Sequence, residues 1–474
     1  MSRFNRVKIV CTLGPSTSDP ENLKNFKKDG MDLIRLNGSH ATKIWIKKTV
    51  LSIRRELPMT PILIDLPGSK IRIKNLNHKR NISVNDEVIF TCDGKYKDNK
   101  KIILNNDEIY KKVKLNSKIF ADDGNLIFKV LKKKGKDIFC KVLEDGFLTN
   151  GTGISFNIKN IQKDLISKND ISLIKFLKKI NPDFIGVSNA KNAIHITQIR
   201  NLIKNNKVNI IAKIENMEGI KNLENILKVS DGIMIDRGDL SLSSEIVNIV
   251  TIQKDIIEIS KKFGKPVIVA TELLSTMIKK TVPSKSEIAD ITNAVYDGCS
   301  ATMLSNETVL GKNPRLIIKE MKKIINSASL HQLKKESLKK KKYDISEITC
   351  RAAVDVSKNL PISKIIVITK TGYAARLLSF HNLKQQIFAV TNCKNTARSF
   401  NLIKGTEGTF LKINFFQKST DHIIDTINKL YKIGKINSKD LILVVAVGYP
   451  KKGNKMNLLQ IHKVHDLIET FKWK

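Results

Sequence analysis

A (β/α)8 barrel, interrupted by a small β-rich lid domain and followed by a C-terminal α/β domain, is the fold class this sequence predicts. Three observations carry it. Eight short apolar or β-branched runs alternate with helical stretches and stop abruptly on polar or charged residues. Between the third and fourth run, roughly from Ser69 to Lys163, the texture changes to short alternating segments separated by Asp-Gly and Lys-Gly turns. After a lysine-rich connector at Lys334–Lys342 the alternation of strand and helix starts again. The expected limits are 1–68 and 166–335 for the two parts of the barrel, 69–165 for the insertion and 336–474 for the last domain.

In chain order, Val7–Thr12 is the first strand, followed by a Gly14-Pro15 turn and a helix carrying Leu23 and Phe26. Leu33–Asn37 and Ile62–Asp65 are the second and third, the latter reached through a helix that Pro58 and Pro61 close off. In the insertion, Glu87–Phe90 and Asp137–Val142 read as strands. The barrel rhythm returns with Phe184–Ser188, Ile210–Glu215, a run from Gly232 that stops on Asp236-Arg237-Gly238-Asp239, Val267–Thr271 and Ala301–Leu304. Eight strands is the number that closes such a barrel. An open doubly wound sheet is the competing arrangement, but no glycine-rich dinucleotide fingerprint follows the first strand. In the last domain, Ile365–Thr369, Phe388–Thr391 and Leu441–Val445 are the strand candidates.

Composition narrows the class. A chain of 474 residues with a 41% hydrophobic share holds several domains and ample core, and no apolar run approaches the length of a membrane span. The first residues show no apolar export signal, and six cysteines stand singly without metal or redox spacing, so reduced thiols and a cytoplasmic location are expected. The net charge of +39, from 84 Lys and Arg against 45 Asp and Glu, raises nucleic-acid binding. The excess is mostly lysine, accompanied by abundant Asn and Ile along the whole chain, and aromatics are only 6%; coding bias explains it better, and neither nucleic acid nor membrane is expected as a partner.

In a (β/α)8 barrel the carboxyl ends of the strands form the functional face. Here they present Thr12, Arg35 with Asn37 and Ser39, Asp65, Ser188, Lys213 with Glu215, Asp239, Thr271, and Ser305 with Glu307. Any one of these is ordinarily a solvated rim residue or a local hydrogen bonder. Together, one cation beside two carboxylates suits a hard divalent metal next to a phosphate.

Thr12-Leu13-Gly14-Pro15-Ser16, Arg35-Leu36-Asn37-Gly38-Ser39-His40, Lys213-Ile214-Glu215-Asn216, Arg237-Gly238-Asp239-Leu240, the run Ala270–Lys280, and Met303-Leu304-Ser305-Asn306-Glu307-Thr308 together resemble the pyruvate kinase family over essentially the whole chain. The resemblance implies phosphoryl transfer from phosphoenolpyruvate to ADP, followed by protonation of the enolate to pyruvate, in a homotetramer using Mg2+ or Mn2+. It implies that Glu215 and Asp239 hold the divalent ion, and that Lys213 neutralises the moving phosphoryl group. If Gly238 and Asp239 open a short helix, their backbone N–H groups are expected to receive the substrate carboxylate. By the same resemblance Thr271 is expected to help bind that carboxylate and a proton-relay water, with Ser305 and Glu307 matching relay positions. Thr12, Pro15, Arg35 and His40 match nucleotide-binding positions, Arg35 a substrate-binding one as well, and Arg72 matches an arginine that closes over the transferring phosphate.

Departures from the family pattern sharpen the expectation. Potassium-dependent members have glutamate at the position of Lys70, with K+ among ligands matching Asn37, Ser39, Asp65 and the Leu66 carbonyl; Lys70 is expected to replace that ion, making K+ unnecessary. Asn150-Gly151-Thr152-Gly153 lacks the lysines that reach the nucleotide from the lid, and Ser241 stands where glycine is usual. In the last domain, Thr369-Lys370-Thr371-Gly372-Tyr373-Ala374 carries Tyr and Ala where an effector phosphate would find Arg and a hydroxyl, so effector binding and a purely structural role stand level. Three rival readings remain at this stage: a metal-dependent lyase acting on an enolate, a basic nucleic-acid-binding protein, and an inactive subunit.

Overall fold

Eight runs of four to six residues carry apolar side chains on both faces, so each forms a strand only where both faces are buried. They pair in parallel and in sequence order around a closed ring: Lys8–Thr12, Leu33–Asn37, Ile62–Asp65, Phe184–Val187, Asn209–Ile214, Gly232–Asp236, Val267–Ala270 and Ala301–Leu304. The computed structural model describes residues 6–39, 41–68, 70–94, 96, 100–106, 108–156, 165–205, 207–242, 246–332, 345–414, 419–448 and 456–473. The lysine run Lys334–Lys342 and His40 lie outside the described residues.

Alternation along each strand divides two cores. One face packs Val10, Leu33, Leu63, Phe184, Ile211, Met234, Ile268, Ala301 and Met303 into the barrel interior. The other sends Ile9, Ile34, Ile64, Ile185, Ile210, Ile233 and Val269 against the surrounding helices. Leu402 joins the interior cluster from the C-terminal domain and is 1% exposed, so that domain plugs the barrel floor.

The insertion leaves the barrel after the third strand and returns before the fourth, although those two strands are hydrogen-bonded neighbours. Asp170, 2% exposed, joins the two crossings. One of its oxygens accepts from the Gly68 amide at 2.8 Å. The other accepts from the Ser167 amide and hydroxyl at 3.0 and 2.7 Å in the capping box of helix Lys168–Ile180. Within the insertion seven strands close a second, smaller barrel around its own core, where Phe90 and Phe128 meet edge to face at 5.2 Å.

The last domain is a five-stranded sheet in the order Thr406–Phe410, Gln386–Thr391, Lys364–Ile368, Leu441–Ala446, Leu458–Lys463, parallel except for the final strand. The two outermost strands escape sequence inspection because each has a partner on one side only; Thr406–Phe410 includes Glu and Gly, and Leu458–Lys463 is partly exposed throughout. This domain is fixed to the barrel by Asp183, wholly buried, which accepts from Arg398 at 2.6 Å and from Arg54 and the Ile62 amide at 2.7 and 2.9 Å.

Four strand ends differ from the sequence expectation: the fourth and fifth strands stop one residue early, at Val187 and Ile214, and the sixth and seventh differ for reasons that bear on the site. The sixth strand ends at Asp236, level with Ala270 of its neighbour, and the chain turns at once into a short helix, Arg237–Ser241. Asp239 is therefore on that helix and not at a strand end. The seventh strand stops at Ala270 because Thr271 and Glu272 adopt left-handed backbone, φ +68° and +55°, which no extended strand accommodates.

Candidate active site

The same alternation that fills the barrel interior delivers the polar groups. Two residues beyond the inward-facing Leu33, Leu63, Ile211, Met234 and Met303 stand Arg35, Asp65, Lys213, Asp236 and Ser305. They line, or lie immediately beneath, one cavity of about 310 Å3 at the carboxyl ends of the strands. Its wall also includes Asn37, Ser39, Ser188, Glu215, Asp239 and Thr271 from the barrel, and Lys70, Arg72, Asp122 and Thr149–Gly153 from the insertion.

Lys213 is at the centre and 4% exposed. Its ammonium lies 2.7 Å from Glu215, 3.1 Å from Asp236 and 3.4 Å from Asp65. Burial alone would lower its pKa, but the three carboxylates outweigh burial and hold it well above the usual lysine value. Burial works on Asp236 in the opposite sense to Lys213, Lys70 and Arg35, and the cations prevail, holding its carboxyl below the ordinary range. Glu215 goes the other way: burial, opposed by Lys213 and reinforced by Asp239 and Asp236, pushes it up to about 7.

Arg35 is also buried, donating through Nε and Nη2 to Asp65 at 3.1 and 2.8 Å and through Nη1 to the Thr12 hydroxyl at 3.4 Å. Thr12 thus stands behind Arg35, its carbonyl accepting from Thr308 at 2.8 Å, while Pro15 is exposed at the start of the short 3-10 helix Pro15–Thr17. Thr271 lines the cavity, its hydroxyl accepting from the Gly238 amide at 2.9 Å and donating to the Ala270 carbonyl at 2.6 Å.

Sequence reasoning missed Asp236. Oxygen atoms of Glu215, Asp236 and Asp239 lie within 4.8 Å of one another, forming an all-oxygen donor set that fits a hard divalent cation. The signal was present: Asp236 is the last residue of a barrel strand, where a charge on the inward-facing alternation has to face the cavity.

Two other residues sit differently from expectation. Lys70 reaches the cavity, where its ammonium pairs with Asp239 of the acidic cluster. Among the residues matched to the K+ ligands, Asp65 receives Arg35, the Leu66 carbonyl accepts from Ser188 at 2.8 Å, and Asn37 accepts from the Ser39 amide at 3.0 Å. Glu307, expected at a relay position, is 2% exposed behind the cavity wall, where it accepts from the backbone amides of Ser305 at 2.7 Å and Leu274 at 3.3 Å. Lacking lysines, Asn150–Gly153 nevertheless forms part of the wall, and Arg72 donates to the Gly151 carbonyl at 2.9 Å.

A strand-end cluster of oxygens for a dication, with lysines and arginines converging on it beneath an inserted domain, defines a barrel enzyme of phosphoryl transfer. Comparison with known proteins agrees. Residues 4–318 match the model of the pyruvate kinase barrel domain, and residues 347–462 that of the pyruvate kinase alpha/beta domain. A pyruvate kinase of Clostridium perfringens is 31% identical across 97% of this chain and 100% of its own length. One of Borreliella burgdorferi is 30% identical across 98% of both, and one of Staphylococcus aureus 31% identical across 98% of this chain and 81% of its own. The chain belongs to the pyruvate kinase family and is a phosphotransferase, moving the phosphoryl group of phosphoenolpyruvate to ADP with release of pyruvate.

Proposed function

We propose the following division of labour for that reaction, the last step of glycolysis. Phosphoenolpyruvate lies in the cavity with its carboxylate on the Gly238 and Asp239 amides and the Thr271 hydroxyl, the Gly238 amide and the Thr271 hydroxyl exchanging their bonds to the Thr271 oxygen and the Ala270 carbonyl for it, and with its phosphate between Lys213 and Arg72. Arg35, Thr12, Pro15 and His40 serve the nucleotide, Thr12 acting through Arg35, whose guanidinium it helps to hold. Glu215 and Asp239, joined by Asp236, would hold a divalent cation, Mg2+ or Mn2+, whose chemistry is to supply positive charge for the carboxylate and enolate oxygens.

The bond between phosphorus and the enol oxygen breaks as one to the terminal oxygen of ADP forms. Lys213 stabilises the equatorial oxygens in flight, a task for which an ammonium held charged by three carboxylates is prepared. The remaining enolate takes a proton at its methylene carbon, delivered through water ordered by Thr271 and Ser305. Glu307 positions Ser305 through its backbone amide and touches no substrate. The lid excludes water that would otherwise accept the phosphoryl group.

Lys70 supplies a fixed positive charge in the cavity and makes K+ unnecessary; its pairing with Asp239 supports a charge-balancing role beside the dication site. A cytoplasmic homotetramer is the expected form, and effector binding by the last domain stays level with a structural role.

The observation that carries the reading is Lys213 buried among Glu215, Asp236 and Asp65 at the centre of the cavity. The test is ADP-dependent pyruvate release from phosphoenolpyruvate by the natural protein and by Lys213→Met. The natural protein turns over with Mg2+ or Mn2+ and the variant does not. Equal rates would remove Lys213 from the mechanism, and no pyruvate with either ion would remove the assignment.

A further inference from the structure

Thr271 and Glu272 are consecutive non-glycine residues with left-handed backbone, φ +68° and +55°. Such a pair is unfavourable for residues with a Cβ and persists only where the surroundings over-determine it. Here the Arg237 side chain supplies part of that determination. Arg237, 6% exposed, donates to the Thr271 carbonyl through Nη2 at 2.7 Å and Nε at 3.3 Å, and to the Glu272 carbonyl through Nη2 at 3.1 Å. Its remaining nitrogen, Nη1, is bound by both oxygens of Asp290, at 2.8 and 2.6 Å, from helix Lys285–Asp297.

The planar guanidinium thus spans three acceptors that no single ammonium could meet in one geometry. It fixes the two carbonyls, and the two carbonyls fix the direction in which the Thr271 side chain leaves the backbone. Because Arg237 immediately precedes Gly238, whose amide donates to the Thr271 hydroxyl, the two chain segments that hold the substrate carboxylate are tied together twice. We propose that Arg237 and Asp290 are positioning residues: they clamp the strained Thr271–Glu272 turn and thereby hold the Thr271 hydroxyl in register with the Gly238 amide. This rests on the role of Thr271 given above.

Arg237 touches no reacting atom, so the clamp acts on turnover and on phosphoenolpyruvate, leaving ADP alone. Arg237→Lys and Asp290→Asn are each expected to lower kcat at least about tenfold, since small misplacements of a reacting group have effects of that order, with the KM for ADP unchanged. Glycine accepts left-handed backbone freely, so Glu272→Gly removes part of the strain that the clamp opposes. Adding Glu272→Gly to either variant is therefore expected to restore most of the lost turnover, measured against Glu272→Gly alone, with thermal melts confirming that every protein is folded.

Folded Arg237→Lys and Asp290→Asn proteins with natural kcat would overturn the proposal. So would a loss that Glu272→Gly leaves untouched, or one shared equally by the KM for ADP. Thr271→Ala, measured in parallel, separates the levels: if it too has natural turnover, the role of Thr271 fails and the clamp with it. If only Thr271→Ala is impaired, the clamp alone fails.

Discussion

Divalent-cation binding to this protein should release a proton, and Glu215 should be its source. With its pKa pushed up to about 7 by burial, Glu215 is largely protonated near pH 6 and largely ionised near pH 8 in the metal-free protein. A dication requires the ionised form. From this group alone, the apparent affinity should fall roughly tenfold between about pH 8 and about pH 6, with about half a proton released per ion near pH 7. The effect on the fold has the opposite sense. A carboxyl raised from 4.5 to about 7 stabilises the metal-free protein below 4.5, and that contribution is lost as pH rises through about 7. In size it is on the order of 3 kcal/mol at most. Isothermal titration with Mn2+ in buffers of different ionisation enthalpy measures affinity and proton count together. Glu215→Gln should bind the ion more weakly and with a flat pH profile. If the natural protein has a flat profile, or heats independent of buffer, the argument from burial is wrong.

Three further outcomes follow from other contacts. In assays with Mg2+ and tetramethylammonium as the counter-ion, added K+ should change the rate little; a large gain would show that Lys70 does not replace the ion. Asp183→Ala leaves the buried Arg398 and the half-buried Arg54 without their carboxylate and should cost about 3 kcal/mol, read as a lower melting temperature and denaturation midpoint; an unchanged melt would show that the ion pairs do not hold the last domain to the barrel. A Cβ at Gly153 would fall 2.6 Å from Lys70 Cε, so Gly153→Ala should displace that side chain from Asp239 and tighten Mn2+ binding; unaltered affinity would mean that Lys70 does not compete with the ion.

The barrel was legible because its strands are buried on both faces and therefore read as unbroken apolar runs. The last domain was legible only in its three inner strands, for the same reason. In the site, Lys213, Glu215, Asp65 and Arg35 were found from charges that interrupt such runs; the cavity gathers Lys213, Glu215 and Arg35, and Asp65 pairs with Arg35 and Lys213 beneath it. Asp236 escaped because it sits beside three more polar residues, and only strand register separates the last inward-facing position from the helix that follows. Lys70 illustrates the opposite limit: its type signals a cation in the cavity, but its pairing with Asp239 depends on the space left by a glycine more than eighty positions away. Arg237 carries no legible task in the sequence, since a guanidinium bound to backbone carbonyls leaves no pattern in side-chain chemistry.

Asp170 has a consequence for how the chain reaches its native state. By joining Gly68 to the cap of helix Lys168–Ile180, it brings the two ends of the insertion together at a point where the third and fourth barrel strands already pair. The ring can therefore close without information from the residues in between, and the entropy lost in closing so long a loop exceeds that for a short one only logarithmically. Two folding units follow, each with its own core, so a chain in which a short glycine linker replaces the insertion should still assemble an eight-stranded ring. Such a product would be silent in catalysis while intact in architecture, and it would show that the enzyme's lid is a guest in the barrel's folding programme.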